Sequence, residues 1–391
     1  MPFALYMLAL AVFVMGTSEF MLAGLLPAIA ADLDIPVGAA GLLTSAFAVG
    51  MVIGAPAMAA FARRWPPRVT LSICLVVFAG SHVIGAMTPV FSVLLATRVL
   101  SALANAGFLA VALSTAATLV PADRKGRALA VLLSGTTIAT VAGVPAGALF
   151  GTAMGWRTTF WTIAILCVPA VIGVILGIPD DDGRSTTSAS SPDLGAELRQ
   201  LTAPRLILTM ALGALINGAT FAAFTFLAPV VTEKASLAEG WVSVALVMFG
   251  IGSFLGVTIA GRLSDRRPGL VLAIGGPLLL IGWIALAMVA SHPVSLLALV
   301  LVQGFLAFGV GSTLIALVLY SASGAPTMGG SYATSALNLG AAVGPVLGAI
   351  GLAIGPGVLA PVWVAAALTA IALVVMLLAR GVLTRTTDGA N

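Results

Sequence analysis

Glu19 is the one carboxyl of this chain that lies deep inside an apolar run; of the 13 acidic residues, four fall in or beside gaps at one end of such runs and eight in gaps at the other. An ionised group at that depth costs about 3 kcal/mol or more unless neutralised or paired. An acid so placed either carries protons between two aqueous faces or, held neutral, hydrogen-bonds a neighbouring helix. Arg98 is the only basic residue similarly embedded. Both lie about eight residues from the same end of their runs, roughly 12 Å below that surface at helical rise. Equal depth permits an ion pair between them, and a guanidinium satisfied by backbone carbonyls is the other use of such an arginine. Asn105, Asn217, Gln303 and Asn338 are embedded amides; each either bonds a neighbouring helix or meets a solute inside a bundle. Asn217 stands one helical turn from Phe221, with Phe224 close by, a setting for an amphipathic aromatic solute as well as for ordinary packing. Tyr332, Met21, Phe47 and Phe108 are further possible lining residues. His82, also embedded, could relay a proton or make a polar contact. His82 and His292 have no metal-ligand company, and Cys74 and Cys167 sit alone in apolar runs, so no metal or cofactor is expected.

The elements that position these groups follow from composition. The chain has 391 residues, 60% apolar and 8% charged, with mean hydropathy +1.17. Soluble domains carry roughly 25% charged residues, so most of this surface must face lipid. No gap between runs is long enough for a separate soluble domain, which excludes an attached ATPase, kinase or nucleic-acid-binding module. A spanning helix needs about 20 apolar residues. Twelve runs qualify, at about 3–27, 38–61, 69–88, 90–120, 128–153, 158–179, 205–231, 239–261, 270–290, 294–321, 329–354 and 358–380. Span 1 lacks the basic start and short core of a cleaved signal. Both termini fall on one side. Placing them in the cytoplasm puts fourteen of the 17 basic residues inside and only Arg157 and Lys234 outside, a strong positive-inside bias.

The polar stretch from Asp180 to Pro204 reads as a flexible cytoplasmic linker, because its acidic and Ser/Thr-rich composition cannot bury enough apolar area to fold alone. It divides the chain into an all-helical bundle of six spans at 1–179 and another at 205–380, followed by a cytoplasmic tail at 381–391. The halves repeat at an offset of 202, which pairs Gly16 with Gly218, Pro27 with Pro229, Gly50 with Gly252, Gly54 with Gly256, Arg64 with Arg266, Pro66 with Pro268 and Gly107 with Gly309. Two equivalent bundles about a pseudo-two-fold axis are a transporter architecture, with the substrate site between them.

At these motifs the chain resembles the major facilitator superfamily, and within it the twelve-span drug:proton antiporters. Gly261 to Arg266 looks like that family's loop signature. The resemblance implies a conformational latch built on Asp265 and Arg266, with Arg64 in the first half, where Arg63 stands in place of the aspartate. Arg98 followed by Asn105-Ala106-Gly107 resembles the arginine-bearing motif of span 4, and Gln303-Gly304 its complement. Gly143-Val144-Pro145-Ala146-Gly147 is similar to the antiporter motif of span 5. Gly16-Thr17-Ser18-Glu19-Phe20, running to Ala30, looks like the opening of a bacterial branch of sugar-efflux and chloramphenicol-resistance exporters. The resemblance therefore implies proton-coupled export of small amphipathic drugs, chloramphenicol first, from the bacterial inner membrane by a monomer that uses Glu19 and Arg98 for proton coupling. A sugar or metabolite exporter is the alternative. Its partners would be drug, protons and lipid, with no nucleic acid. With two lysines, Lys125 and Lys234, the chain has no phosphate-binding loop for ATP, and no embedded carboxylate pair or nucleophile with base supports an enzyme.

Overall fold

The computed structural model describes residues 2–61, 65–178, 194–264, 267–325, 328–355 and 357–379. Twelve of its helices are long and apolar enough to cross a membrane: Phe3–Phe20, Val37–Met58, Pro67–Met87, Phe91–Thr118, Lys125–Met154, Trp156–Gly177, Pro204–Thr225, Gly240–Ser264, Pro268–Val289, Pro293–Ser321, Gly329–Ile354 and Gly357–Leu378. They are called spans 1 to 12 below and agree with the sequence reading within a few residues except at the ends of spans 1 and 7. Large apolar side chains such as Ile53, Leu176, Val294 and Leu378 stand exposed around the outside, as a lipid-facing surface requires. An even number of spans leaves Pro2 and Ala379 at one face, the terminal face; the other is the distal face.

Packing is dominated by close backbone approach. A Cβ on Gly50 would meet the Val99 carbonyl, and one on Gly252 would meet the Leu301 carbonyl. Both members of each contact differ by 202, so spans 2 and 4 pack in the register that spans 8 and 10 repeat. Without a hydrophobic drive between helices in lipid, small residues earn such contacts through dispersion. One large apolar core is built from spans 1 to 6, with Phe226 its buried residue from beyond the linker and Ala349 and Leu352 packed against it. Another is built mainly from spans 7 to 10 and 12. The two meet where Gly38 faces Ala349, Gly41 and Gly348 face the Phe226 ring, and Gly250 faces the backbone of Thr140 and Val141. Gly250→Val should push spans 5 and 8 apart at a cost of about 1–3 kcal/mol, the scale of core overpacking. A lower unfolding midpoint for the purified variant checks this, and an unchanged midpoint would contradict it.

Span 1 is not the continuous 3–27 helix expected. It runs to Phe20, breaks at Met21, and resumes as Leu22–Asp32. Span 7 likewise stops at Thr225, turns at Phe226, and continues as Leu227–Pro229 into a wide turn at Val230–Lys234. Pro229 explains the second, because it removes the amide donor that the Thr225 carbonyl would receive and crowds that turn; its repeat partner Pro27 lies inside the resumed helix, six residues past Met21. In span 5 the ladder widens to i→i+5 over Ala139–Gly143, just before Pro145.

Of the linker, 180–193 lies outside the described residues. Its end is helical, Leu194–Arg199, and docks on the bundle: the Met328 amide donates to Glu197 Oε2 at 2.8 Å and the Tyr332 hydroxyl to the Glu197 carbonyl at 2.9 Å. Glu197 is 3% exposed. Its carboxylate caps span 11, where the helix dipole favours negative charge. Glu197→Ala should speed proteolytic cleavage around 194–202 at least several-fold; cleavage at the wild-type rate would refute the docking role.

Candidate functional site

The chemistry-bearing residues converge beside the break in span 1. Arg98 on span 4 is 1% exposed and grips Ser18 twice: Nη1 donates to Ser18 Oγ at 2.8 Å and Nη2 to the Ser18 carbonyl at 2.9 Å. Its guanidinium also lies 4.5 Å over the Phe47 ring of span 2, a desolvated cation–π contact. Ser18 Oγ lies 2.7 Å from His82 Nε2, and His82 Nδ1 lies 2.8 Å from the Phe78 carbonyl. A carbonyl only accepts, so Nδ1 carries the proton. The polarity of the chain then follows: Arg98 donates to the Ser18 hydroxyl, the hydroxyl donates to His82, and His82 donates to Phe78. Arg98 Nε has no partner among the described residues.

Glu19 follows Ser18 directly, half-buried, and makes no ion pair with Arg98 at 4.0 Å or less among the described residues. Of the two uses open to Arg98 in the sequence, the observed one is the grip on backbone and hydroxyl. Next in sequence, the Phe20 ring stacks on Phe221 at 5.8 Å and 30° and meets Phe224 edge-on at 6.3 Å. Phe221, the repeat partner of Glu19, therefore faces the neighbour of that carboxyl across the two halves. The aromatic series continues from Phe224 to Phe249 at 4.6 Å and from Phe249 to Phe308 at 5.9 Å. The Phe20, Phe224, Phe249 and Phe308 rings, with Thr140 and Val144 of span 5, border a small cavity between the halves.

The antiporter-like motif sits against the same region. A side chain on Gly143 would meet Thr17 and Phe13, one on Gly147 would meet Thr159, and the Thr159 hydroxyl donates to the Gly147 carbonyl at 2.9 Å. Pro145 is buried directly after the widened turn. The embedded amides serve packing first. Asn217 Nδ2 donates to the Leu337 carbonyl at 2.8 Å, joining spans 7 and 11. Asn338 Nδ2 donates to Thr334 of its own helix at 3.0 Å, Gln303 Nε2 to Leu279 at 3.2 Å, and Asn105 Nδ2 points at Met51 Sδ, 3.7 Å away. Asn105 Oδ1 and Gln303 Oε1 are buried without a partner among the described residues. Tyr332 is taken up by the linker helix. The latch residues Arg64, Asp265 and Arg266 lie outside the described residues. Sequence reasoning gave Ser18 and Phe20 no role beyond their motif and offered Phe47 as a lining residue, not as the partner of Arg98; the signal for the first two was adjacency to Glu19.

The model of the Major Facilitator Superfamily matches residues 8–335. A chloramphenicol resistance protein of Streptomyces lividans is 62% identical over 385 residues, covering 98% of each chain. The inner membrane transport protein YdhP of Escherichia coli K12 is 31% identical over 91% of this chain and 90% of its own. A solved bacterial homologue of the human lysosomal transporter Spinster, inward-facing and unoccupied, aligns with a TM-score of 0.72 at 16% identity over 97% of this chain and 95% of that one. With twelve apolar spans, a repeated half, and these matches along nearly its whole length, the chain belongs to the major facilitator superfamily and is a multi-pass membrane transporter.

Proposed function

We propose that this transporter exports small amphipathic drugs, chloramphenicol among them, in exchange for protons. The observation that carries this reading is Glu19: a lone embedded carboxyl at a helix break, one residue from the Phe20–Phe221 stack that bridges the halves and one residue from the serine that Arg98 holds. Discontinuous helices at mid-depth are where transporters of this architecture bind solute. With Glu19 protonated, Arg98 spends its Nη donors on Ser18. After proton release the carboxylate becomes an acceptor for the unpartnered Arg98 Nε, and the span 1 turn that carries Phe20 shifts with it. The two protonation states thus favour different arrangements of the aromatic interface, which is the differential interaction that a conformational exchange needs.

The units that rock are the bundles 1–179 and 205–380, joined through 180–204, with 381–391 as tail. The terminal face is cytoplasmic, the membrane is the bacterial inner membrane, the working unit is a monomer, and no catalysis accompanies transport. Asp265 and Arg266, with Arg64, hold the cytoplasmic latch, and Gly143, Pro145 and Gly147 keep span 5 close against span 1. Asn105, Asn217, Phe221, Gln303 and Asn338 lie on the substrate path. The aromatic, weakly polar lining suits a drug better than a sugar. Chloramphenicol accumulation in cells expressing the chain tests this. It should be low in expressing cells and rise to the level of empty cells when an uncoupler collapses the proton gradient. Equal accumulation in expressing and empty cells before uncoupler would reject the reading.

A further inference from the structure

Pro56 lies inside the helix of span 2, Val37–Phe61. A proline nitrogen carries no hydrogen, so the carbonyl four residues earlier, that of Val52, lacks the donor its own helix would supply. A carbonyl inside a bilayer must find another partner or carry the cost of having none. Here the donor comes from the other half of the molecule: the Ser335 hydroxyl of span 11 donates to the Val52 carbonyl at 3.3 Å. Serine inside a helix ordinarily bonds a carbonyl of its own preceding turn, as Ser331 does with Met328. Ser335 departs from that habit where a carbonyl of the opposite bundle stands open.

Spans 2 and 11 run antiparallel and keep one register along this seam. Gly38 of span 2 faces Ala349 of span 11 near the distal face. Val52 and Ser335 are each fourteen residues from that pair, about 21 Å towards the terminal face at helical rise. Between the two levels Ala48 packs with Phe221, Ala341 and Ala342. The seam is thus apolar down to Ala48 and closes near the terminal face on a directional polar contact.

The repeat supplies the comparison. Offset by 202, span 2 corresponds to span 8 and span 11 to span 5, so the equivalent seam is the one where Gly250 meets Thr140 and Val141. There Thr258 stands for Pro56, Phe254 for Val52 and Leu133 for Ser335. Thr258 has an amide hydrogen for its helix, and its hydroxyl also donates to the Phe254 carbonyl at 2.7 Å. That carbonyl needs nothing from the other half, and Leu133 has no donor to offer; both the Phe254 and Leu133 side chains stand exposed. Of two equivalent seams, one carries a hydrogen bond between the halves and the other lacks both the open carbonyl and the donor.

We infer that Pro56, the Val52 carbonyl and Ser335 form a catch between the halves, closed in the arrangement seen here and released when the bundles part on the terminal face. Pro56 and Ser335 are positioning residues that set how often that face opens. On opening, water reaches the Val52 carbonyl and replaces the hydroxyl, so the carbonyl has a partner in both arrangements and the catch weights the equilibrium without locking it. The inference rests on the rocking of two bundles in the reading above, and on neither the drug nor Glu19.

Spin labels at Thr118→Cys of span 4 and Tyr320→Cys of span 10, exposed positions at the terminal ends of the two halves, report opening as a distance between the halves in the purified full chain in nanodiscs. Cys74 and Cys167 are buried and leave these sites distinct. Ser335→Ala should raise the ratio of long to short distances about fivefold, equivalent to about 1 kcal/mol for one hydrogen bond. Pro56→Ala returns the amide hydrogen to the Val52 carbonyl, so in that background Ser335→Ala should change the ratio less than about twofold. That coupling distinguishes the catch from ordinary packing of Ser335. An unchanged ratio in Ser335→Ala, or the same rise with and without Pro56, would overturn the catch and leave the rocking of the halves intact. A single distance in every variant would reject the rocking, and the catch with it.

Discussion

Cells expressing Glu19→Gln should accumulate chloramphenicol to the level of empty cells, and an uncoupler should make no further difference. Glutamine keeps the size and the hydrogen-bonding capacity of a protonated glutamate, so the fold and the Phe20–Phe221 stack persist. What is lost is the change of charge, and with it the acceptor that would draw on Arg98 Nε. Glu19 is the sole carboxyl within a span of this chain, so no second acid takes over. A substrate exchange that needs no gradient should survive: preloaded vesicles of the variant should still swap labelled for unlabelled drug. Net efflux at the wild-type rate from Glu19→Gln cells at equal expression would remove Glu19 from the mechanism.

Arg98→Ala should lose both transport and stability. It deletes two charged hydrogen bonds to Ser18, each worth about 1.5–3 kcal/mol, and leaves the Ser18 hydroxyl with His82 alone. The Phe47 ring loses its cation as well. Arg98→Lys separates positioning from charge. An ammonium keeps the charge but is a point donor and cannot straddle an oxygen on the side chain and one on the backbone as the planar fork does. Efflux from Arg98→Lys should therefore fall about tenfold with protein yield near wild type, a barrier change of about 1.4 kcal/mol. Full efflux from Arg98→Lys would mean that only the charge matters and that the two-point grip is incidental.

The spans were legible because a long apolar run bounded by charge admits few other readings. Glu19 and Arg98 were legible for the same reason in reverse, as charges where the bilayer tolerates few. Ser18 was not. Hydroxyls in spans usually bond the preceding turn of their own helix, as Thr17 does with Phe13 and Ser81 with Val77, and nothing in a sequence distinguishes the one that bridges three spans. Phe47 and Phe221 were visible as aromatics, but their partners, a guanidinium and a ring from the other half, are tertiary facts. The break in span 7 could have been read from Pro229, though proline marks a kink more surely than its position.

The widened turn at Ala139–Gly143 has a bearing on how this span tolerates change in length. Each residue of an α-helix advances the phase by 100°, since 3.6 complete a circle. The i→i+5 turn accommodates one residue more than regular winding would, so the two ends of the span are out of step by about that angle. Gly135 on one end presses on Ala9 and Phe13, while Val144 and Ala148 on the other join the core of the second half. Removing one residue within 139–143 would let a regular helix form with both faces kept toward their neighbours, whereas regular winding of the full-length span would swing one of them away by about that angle. A one-residue deletion should therefore be forgiven within 139–143 and not in the regular helix on either side, where nothing absorbs the rotation of about 100° it takes away.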